Sequence, residues 1–297
     1  MTWELTGIPY TSAREAGGIA DAIVVLRQLG LAARLADFGV EDAGDLALLP
    51  PSGERGPSGL LNEDALATLV DATRQHVRET LDRDRLPLLV GGDCPVMLGP
   101  LAAIRDTGER PGLVMIDGHE DAWPPMRSET GEASDSEVAI ALGRVSGLPT
   151  ALSELMPLLT ASAVAQIGPR DEAELDAAHV PSLRSEIAFF ASGQHVVARS
   201  YGPETLVRAA IDAIDADSFW LHIDLDVLAT PDFAAVDYRQ PGGVDWATLD
   251  GLASTAAPDA GCRGISVVIY NPALDADHSD GPKVIEFLAR LTAELVR

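Results

Sequence analysis

Lysine is almost missing from this 297-residue chain, where Lys283 is the only one. A Walker-type phosphate loop and Schiff-base chemistry each need a lysine, so both have almost no candidate. Cysteine is nearly as scarce: Cys94 and Cys262 are too few for a disulfide framework and suit a reducing compartment. Basic residues number 21 against 46 acids, a formal net charge of −25. Such a field repels nucleic acid and anionic membranes and draws cations towards an acidic pocket. No apolar run approaches the roughly 18 residues needed to span a bilayer. The opening MTWELTGIPY has neither the basic nor the apolar region of a secretory leader, so a cytoplasmic protein is expected.

The 46% hydrophobic and 23% charged residues are those of a globular chain. Strand-like runs alternate with helical ones. WELTGIPY (3–10) reads as a strand, 15–29 as a helix, and LAARLADFG (31–39) as a second strand. Residues 63–82 form a clear helix, with Asn62 as its cap and Leu66, Leu69, Val70, Val77 and Leu81 as its apolar stripe. The runs LPLLVGGD, GLVMID, AVAQIG, EIAFFA, SFWLHIDLDV and GISVVIY are continuously apolar, as in a parallel sheet covered on both faces. Helices are expected near 96–105, 135–145, 170–178, 204–215, 245–255 and 282–296, and loops over 42–61 and 124–134. The unbroken alternation predicts a single three-layer α/β domain over 1–297, a mostly parallel sheet between helices. Ligands of such sheets bind beyond the carboxyl ends of the strands.

Polar clusters end three of those strands: Gly91-Gly92-Asp93-Cys94, then Asp117, His119 and Asp121, then Asp224 and Asp226. Strand residues two apart share a face, so each acidic group can aim at one point. Four carboxylates converging without lysine or arginine partners would repel one another unless divalent cations sat among them. Mixed carboxylate and imidazole donors suit Mn, Fe, Ni or Zn better than Ca or Mg. A lone Asp or His at a strand end is usually only a cap or a satisfied polar group; five in this pattern are harder to assign to chance.

Taken together these motifs resemble those of the arginase/agmatinase (ureohydrolase) family: G-G-D-H, D-A-H-x-D and D-x-D-x-x-D-P, in that order. P-G-G at 241–243 and Y-N-P at 270–272 fall where that family carries P-G-G and V-N-P. The resemblance implies a three-layer arginase/deacetylase-like fold, assembly as trimers or hexamers, and two Mn(II) ions that activate a bridging water to attack a guanidinium carbon. Carried over, Asp117 and Asp224 would bridge the metals, His119 and Asp226 would complete one site, and Asp121 and Cys94 the other.

Four departures stand out. Cys94 replaces a ligand histidine, which favours softer ions such as Zn, Fe or Ni, or else leaves a small buried thiol beside a weakened site. The family's S-G-N-x-H-G loop, with its catalytic histidine, corresponds to 130–135, which has none. Glu132 or Asp135 is left to carry the proton, although Asp135 is also placed to cap the following helix. Where the family holds the guanidinium with a glutamate stands Ile269, so arginine and agmatine are not the expected substrates. The T-G-T-P loop becomes Val236-Asp237-Tyr238-Arg239, where Asp237 and Arg239 are candidates for a substrate's charged end and Tyr238 for the pocket wall. His222, on the face of Asp224 and Asp226 but deeper, reads as a supporting residue or as a histidine bonded to backbone.

The expected function is metal-dependent hydrolysis of a non-peptide C–N bond in a small guanidino, hydroxyguanidino, amidino or amide substrate. Two rivals differ in class. Asp117, His119 and Asp226 also match the zinc set of single-metal deacetylases sharing this fold. The missing histidine and glutamate suit a non-catalytic homologue that binds a ligand or partner.

Overall fold

In the computed structural model, residues 2–198 and 201–293 are described. Among the described residues there are eight strands, all but β2 from the apolar runs: β1 (Thr2–Gly7), β2 (Glu41–Asp45), β3 (Arg85–Val90), β4 (Pro111–Ile116), β5 (Val164–Ile167), β6 (Phe189–Ala191), β7 (Ser218–Asp224) and β8 (Cys262–Val268). All pair in parallel in one sheet of order β2-β1-β3-β8-β7-β4-β5-β6. The helices are α1 (Ala22–Gln28), α2 (Leu31–Ala36), α3 (Glu63–Asp82), α4 (Leu98–Asp106), α5 (Glu137–Ala141), α6 (Thr150–Ser153), α7 (Glu172–Ala178), α8 (Gly193–Val197), α9 (Pro203–Ala213), α10 (Trp246–Ala256) and α11 (Gly281–Ala293). Helices α3 and α4 pack together, and α2, α11, α10 and α9 form a second contiguous layer. With right-handed crossovers the two groups fall on opposite faces, which gives the expected three layers. β4 and β7 are buried along their whole length because both faces are covered.

The second strand is not where the sequence suggests. LAARLADFG forms α2, because Leu31 and Leu35, both buried, are four residues apart and mark one helical face. Gly30, at φ 101°, turns the chain between α1 and α2. The strand beside β1 is instead EDAGD, which runs from Glu41 into the expected loop 42–61. Its composition is poor for β structure, and it is an exposed edge. Arg27 secures it through Asp42 (2.7 Å) and Asp45. Asn62 stands at the N-cap of α3, but its side chain makes no capping hydrogen bond. It sits at φ 56°, accepts from the Gly53 amide and donates to Ser12 and Ala13 carbonyls, so it ties the long loop to the segment after β1. The stripe of α11 is buried at Val284, Leu288 and Leu291, while Leu295 lies outside the described residues. Among the described residues no helix is long and apolar enough to cross a membrane.

Candidate metal centre

The carboxyl ends of β3, β4 and β7 meet near the middle of the sheet. Beyond β3, Gly91 and Gly92 take φ 88° and 72°; a Cβ on Gly92 would lie 2.5 Å from the Ile8 carbonyl oxygen, so only glycine fits. Asp93 then caps a short 3-10 turn, Cys94–Met97, accepting from the amides of Cys94 (3.0 Å) and Ser12 (2.7 Å). This places the buried Cys94 Sγ 2.9 Å from Asp224 Oδ2.

The other groups converge, but not by strand alternation. β4 stops at Ile116, so Asp117, His119 and Asp121 lie in irregular chain past its end. β7 stops at Asp224, and Asp226 belongs to a 3-10 turn. Backbone amides set the geometry instead. Asp117 Oδ1 accepts from His119 N (2.7 Å), Asp224 Oδ1 from Asp226 N (2.6 Å), and Asp226 Oδ1 from Gly118 N (3.0 Å). His119 Nδ1 is then 2.8 Å from Asp226 Oδ2 and 3.8 Å from Asp117 Oδ1.

Arginine is present after all. Arg170 donates to the carbonyl of Asp226 and lies so close over Gly118 that a Cβ there would be 2.5 Å from its Nη1. That explains why the D-A-H of the resembling family reads D-G-H here.

Two donor groups share Asp117. Ligand atoms of Cys94, Asp117, Asp121 and Glu137 all lie within 4.8 Å of one another, as do those of Asp117, His119 and Asp226. A third combination, Cys94, Asp117 and His222, meets the same limit deeper in the protein. Asp117 Oδ2, both carboxylate oxygens of Glu137 and His222 Nε2 are buried without a hydrogen-bond partner. Orphaned buried oxygens are costly, and a cation among them would satisfy them, so these residues fit a metal site.

Charge states without a cation follow the same geometry. Burial, then Asp226, pushes the Asp117 carboxyl up; burial, then Asp117 and Glu137, does so for Asp121. Burial opposes charge on His119, but Asp226 outweighs it and raises the imidazole to about 10. Asp226 is correspondingly held below the carboxylate range, by His119 and then Arg170 against its burial. Burial, with Asp224 and Glu137, lifts the Cys94 thiol. Burial lowers His222 to about 3, so it stays neutral, with Nδ1 2.7 Å from the Ser266 hydroxyl, which also accepts from Trp220 Nε1.

The centre opens on a cleft of about 880 Å³, lined in part by Glu132, Asp135, Asp237, Tyr238, Arg239 and Ile269. Tyr238 donates to Glu132 Oε2 (3.1 Å), and burial with nearby Asp93 and Asp135 raises Glu132 to about 7. Asp135 caps no helix. It accepts from the Ser128 and Thr130 hydroxyls and so holds the loop's shape. Asp237 accepts from Asn271 Nδ2 (2.6 Å), and Arg239 is exposed. Ile269, nearly buried, sits at φ 72°, a left-handed conformation costing a β-branched residue roughly 1–2 kcal/mol.

Glu137 and Arg170 are the residues that sequence reasoning misses. At the start of a helix Glu137 reads as an ordinary acidic first-turn residue. Only the tertiary bonds Trp123 N to Asp135 O and Val138 N to Asp121 O, 2.9 and 3.0 Å, reveal that it turns inward.

Residues 10–297 match the arginase family. The chain is 25% identical to the arginase of Bacillus subtilis (strain 168) over 296 residues, 98% of this chain and 97% of that one. The crystal structure of arginase from Bacillus cereus superposes with a TM-score of 0.80 at 22% identity, over 98% of each chain. Formimidoylglutamase from Bacillus subtilis subsp. subtilis str. 168 gives 0.74 at 16%, over 99% of this chain and 87% of that one. At those identities the structures speak for the fold, and the family match speaks for kinship. The chain belongs to the arginase family, hydrolases that act on carbon–nitrogen bonds other than peptide bonds.

Proposed function

We propose that the chain acts as one domain, in the cytoplasm, as a binuclear metal-dependent hydrolase of a small C–N substrate other than arginine or agmatine. The observation that carries this reading is the pair of donor groups sharing Asp117, buried except for the half-buried His119, and opening on a cleft whose wall includes Ile269. Asp117 and Asp224 would serve both cations, Mn(II) by kinship, with Zn, Fe or Ni admitted by Cys94. His119 and Asp226 would complete one position, and Cys94 and Asp121 the other. Divalent cations, when bound, supply Lewis acidity and make water a nucleophile near neutral pH.

The chain's own residues do the rest. Glu132, close to neutral in its titration and steadied by Tyr238, accepts and returns a proton at Oε2, in the loop where the family carries histidine. Arg239 offers a planar fork to a carboxylate on the substrate's far end. Asp237 holds Asn271 beside Ile269. Ile269 offers no counter-charge, so a full guanidinium would be buried unpaired, whereas a neutral hydroxyguanidine, amidine or amide would not. By the same kinship we include assembly as a homo-oligomer, trimer or hexamer, which sedimentation would check.

Loss of a buried charge partner costs ~3–5 kcal/mol, which is about two to four orders of magnitude in rate. Metal-loaded protein should therefore release little urea from arginine or agmatine, yet turn over at least one member of a panel of hydroxyguanidines, amidines and amides. Asp224→Ala should abolish that turnover. Robust urea release from arginine, or turnover that survives chelation, would refute the reading. A second reading has one specific support: Asp117, His119 and Asp226 form a complete donor group by themselves, as a single-cation amidohydrolase would need. One metal per chain by elemental analysis would favour it.

A further inference from the structure

We infer that Glu137 is a direct ligand of the cation on the Cys94 side of the centre, an inference that rests on the metal-hydrolase reading above. Its side chain is fully buried, and neither carboxylate oxygen has a hydrogen-bond partner. One of those oxygens lies within 4.8 Å of Cys94 Sγ and of an oxygen of Asp117 and of Asp121. The position is held by main-chain bonds: Val138 N to Asp121 O, Trp123 N to Asp135 O, and Ser136 Oγ to Trp123 O (2.7 Å) pin the start of α5 to the end of the Asp117–Asp121 segment. A glutamate kept only for packing would have its oxygens satisfied or turned to water. One aimed into a pocket of carboxylates and a thiol can share a proton with Asp121, but only a cation satisfies the oxygens of Glu137, Asp117 and Asp121 together. A hard oxygen donor also complements the substitution at 94. Cys94 brings a soft donor to a position otherwise built of carboxylates, and Glu137 adds a further hard ligand that favours Mn, Fe or Co over a thiolate-only preference. The Cys94 side then has up to five protein donors, with Asp117, Asp121 and Asp224, while the His119 side keeps more open positions.

Cobalt(II) is the probe, because a thiolate–cobalt charge-transfer band reports the Cys94 side alone and elemental analysis counts both sides. The unaltered protein should bind two cobalt ions with that band. Glu137→Gln, nearly isosteric, should weaken the band-reporting site at least ~10- to 100-fold, since even partners one bond further out matter that much, and leave the other site's affinity unchanged. Glu137→Asp should recover part of the loss. Melting of the chelated Glu137→Gln protein should match or exceed that of the unaltered protein, as a neutral amide replaces a buried carboxyl. Equal cobalt affinity and an unchanged band in Glu137→Gln would overturn the inference and leave Glu137 as a buried acid sharing a proton with Asp121. Loss of chelated-state stability with unchanged affinity would overturn it in favour of a packing role. No cobalt bound by the unaltered protein would overturn the hydrolase reading together with this one.

Discussion

Cation affinity at the centre should climb steeply with pH, because protons and metal compete for the same atoms. Without a cation, His119 is an imidazolium up to about 10, and the carboxyls of Asp117, Asp121 and Asp224 are all raised by burial and by one another. A metal can bind His119 only after that proton leaves, and the carboxylate cluster must surrender at least one more. Each proton displaced makes the association constant vary tenfold per pH unit, ~1.4 kcal/mol. Two give a ~100-fold rise per unit between about pH 6 and 8, and ionisation of the Cys94 thiol gives a third factor of ten. Calorimetric titration with Mn(II) at several pH values, in two buffers of different ionisation enthalpy, counts the protons directly. Cys94→Ser should reduce the count by one if the thiol is a ligand, and His119→Asn should do so independently. The metal-free protein gives the converse signal. A histidine raised from 6.5 to about 10 contributes stability that is complete below 6.5 and lost as pH rises through 10, on the order of 5 kcal/mol in all. Raised carboxyls add to the same trend. Chelated protein should therefore melt progressively lower towards alkaline pH, and the gap to the loaded protein should widen. Fewer than one proton released, or a melting gap independent of pH, would refute the reasoning.

Three further tests bear on single residues. Cys94 should resist alkylation in metal-loaded protein and react after chelation, with Cys262 removed as a control; equal rates in both states would mark it as an inert core thiol. Glu132→Gln should cost ~100-fold or more in turnover and remove an ascending limb of the pH–rate profile centred at or below about 7, since the group works as a base only when ionised. Glu4, buried under Arg83 and Arg85 (2.6 and 3.0 Å), is held below its ordinary 4.5 by Thr80 and those arginines despite its burial. Glu4→Gln should lower stability by about 2 kcal/mol at neutral pH. The difference should vanish as pH falls from 4.5 through the folded-state value, because a depressed acid stabilises only while ionised.

Much of this molecule is legible in its sequence. Buried parallel strands announce themselves as unbroken apolar runs, and the order of the three acidic motifs fixes the family. What fails does so for local reasons. Leu31 and Leu35 look like part of a strand until their spacing of four is weighed above their hydrophobicity. EDAGD has no intrinsic strand character and acquires it from Arg27 and the edge of β1. The ligands converge through amide hydrogen bonds in irregular chain, not through the two-residue repeat of a strand. Glu137 and Arg170 carry no local mark, because Glu137 is aimed by the bonds that tie the start of α5 to the Asp121–Trp123 segment, and Arg170 by the turn after β7, 56 residues further on.

The order of strands also has a kinetic meaning. β3 and β4 are consecutive in the chain, yet β8 and β7 lie between them in the sheet. While the polypeptide is being made, β3 can pair with β1 and β4 with β5, but their facing inner edges have no partner until residues 218–268 emerge and insert. Cys94 and Asp224, 130 positions apart, come into contact only at that step. Such long-range closure is slow and leaves strand edges exposed meanwhile. A ribosome-bound chain that ends before β7 therefore carries Cys94, Asp117, Asp121 and Glu137 but lacks Asp224 and Asp226, so the donor group of Asp117, His119 and Asp226 cannot form. Completion of the centre belongs to the last stage of folding, and a cation held between both halves of the sheet would slow their separation.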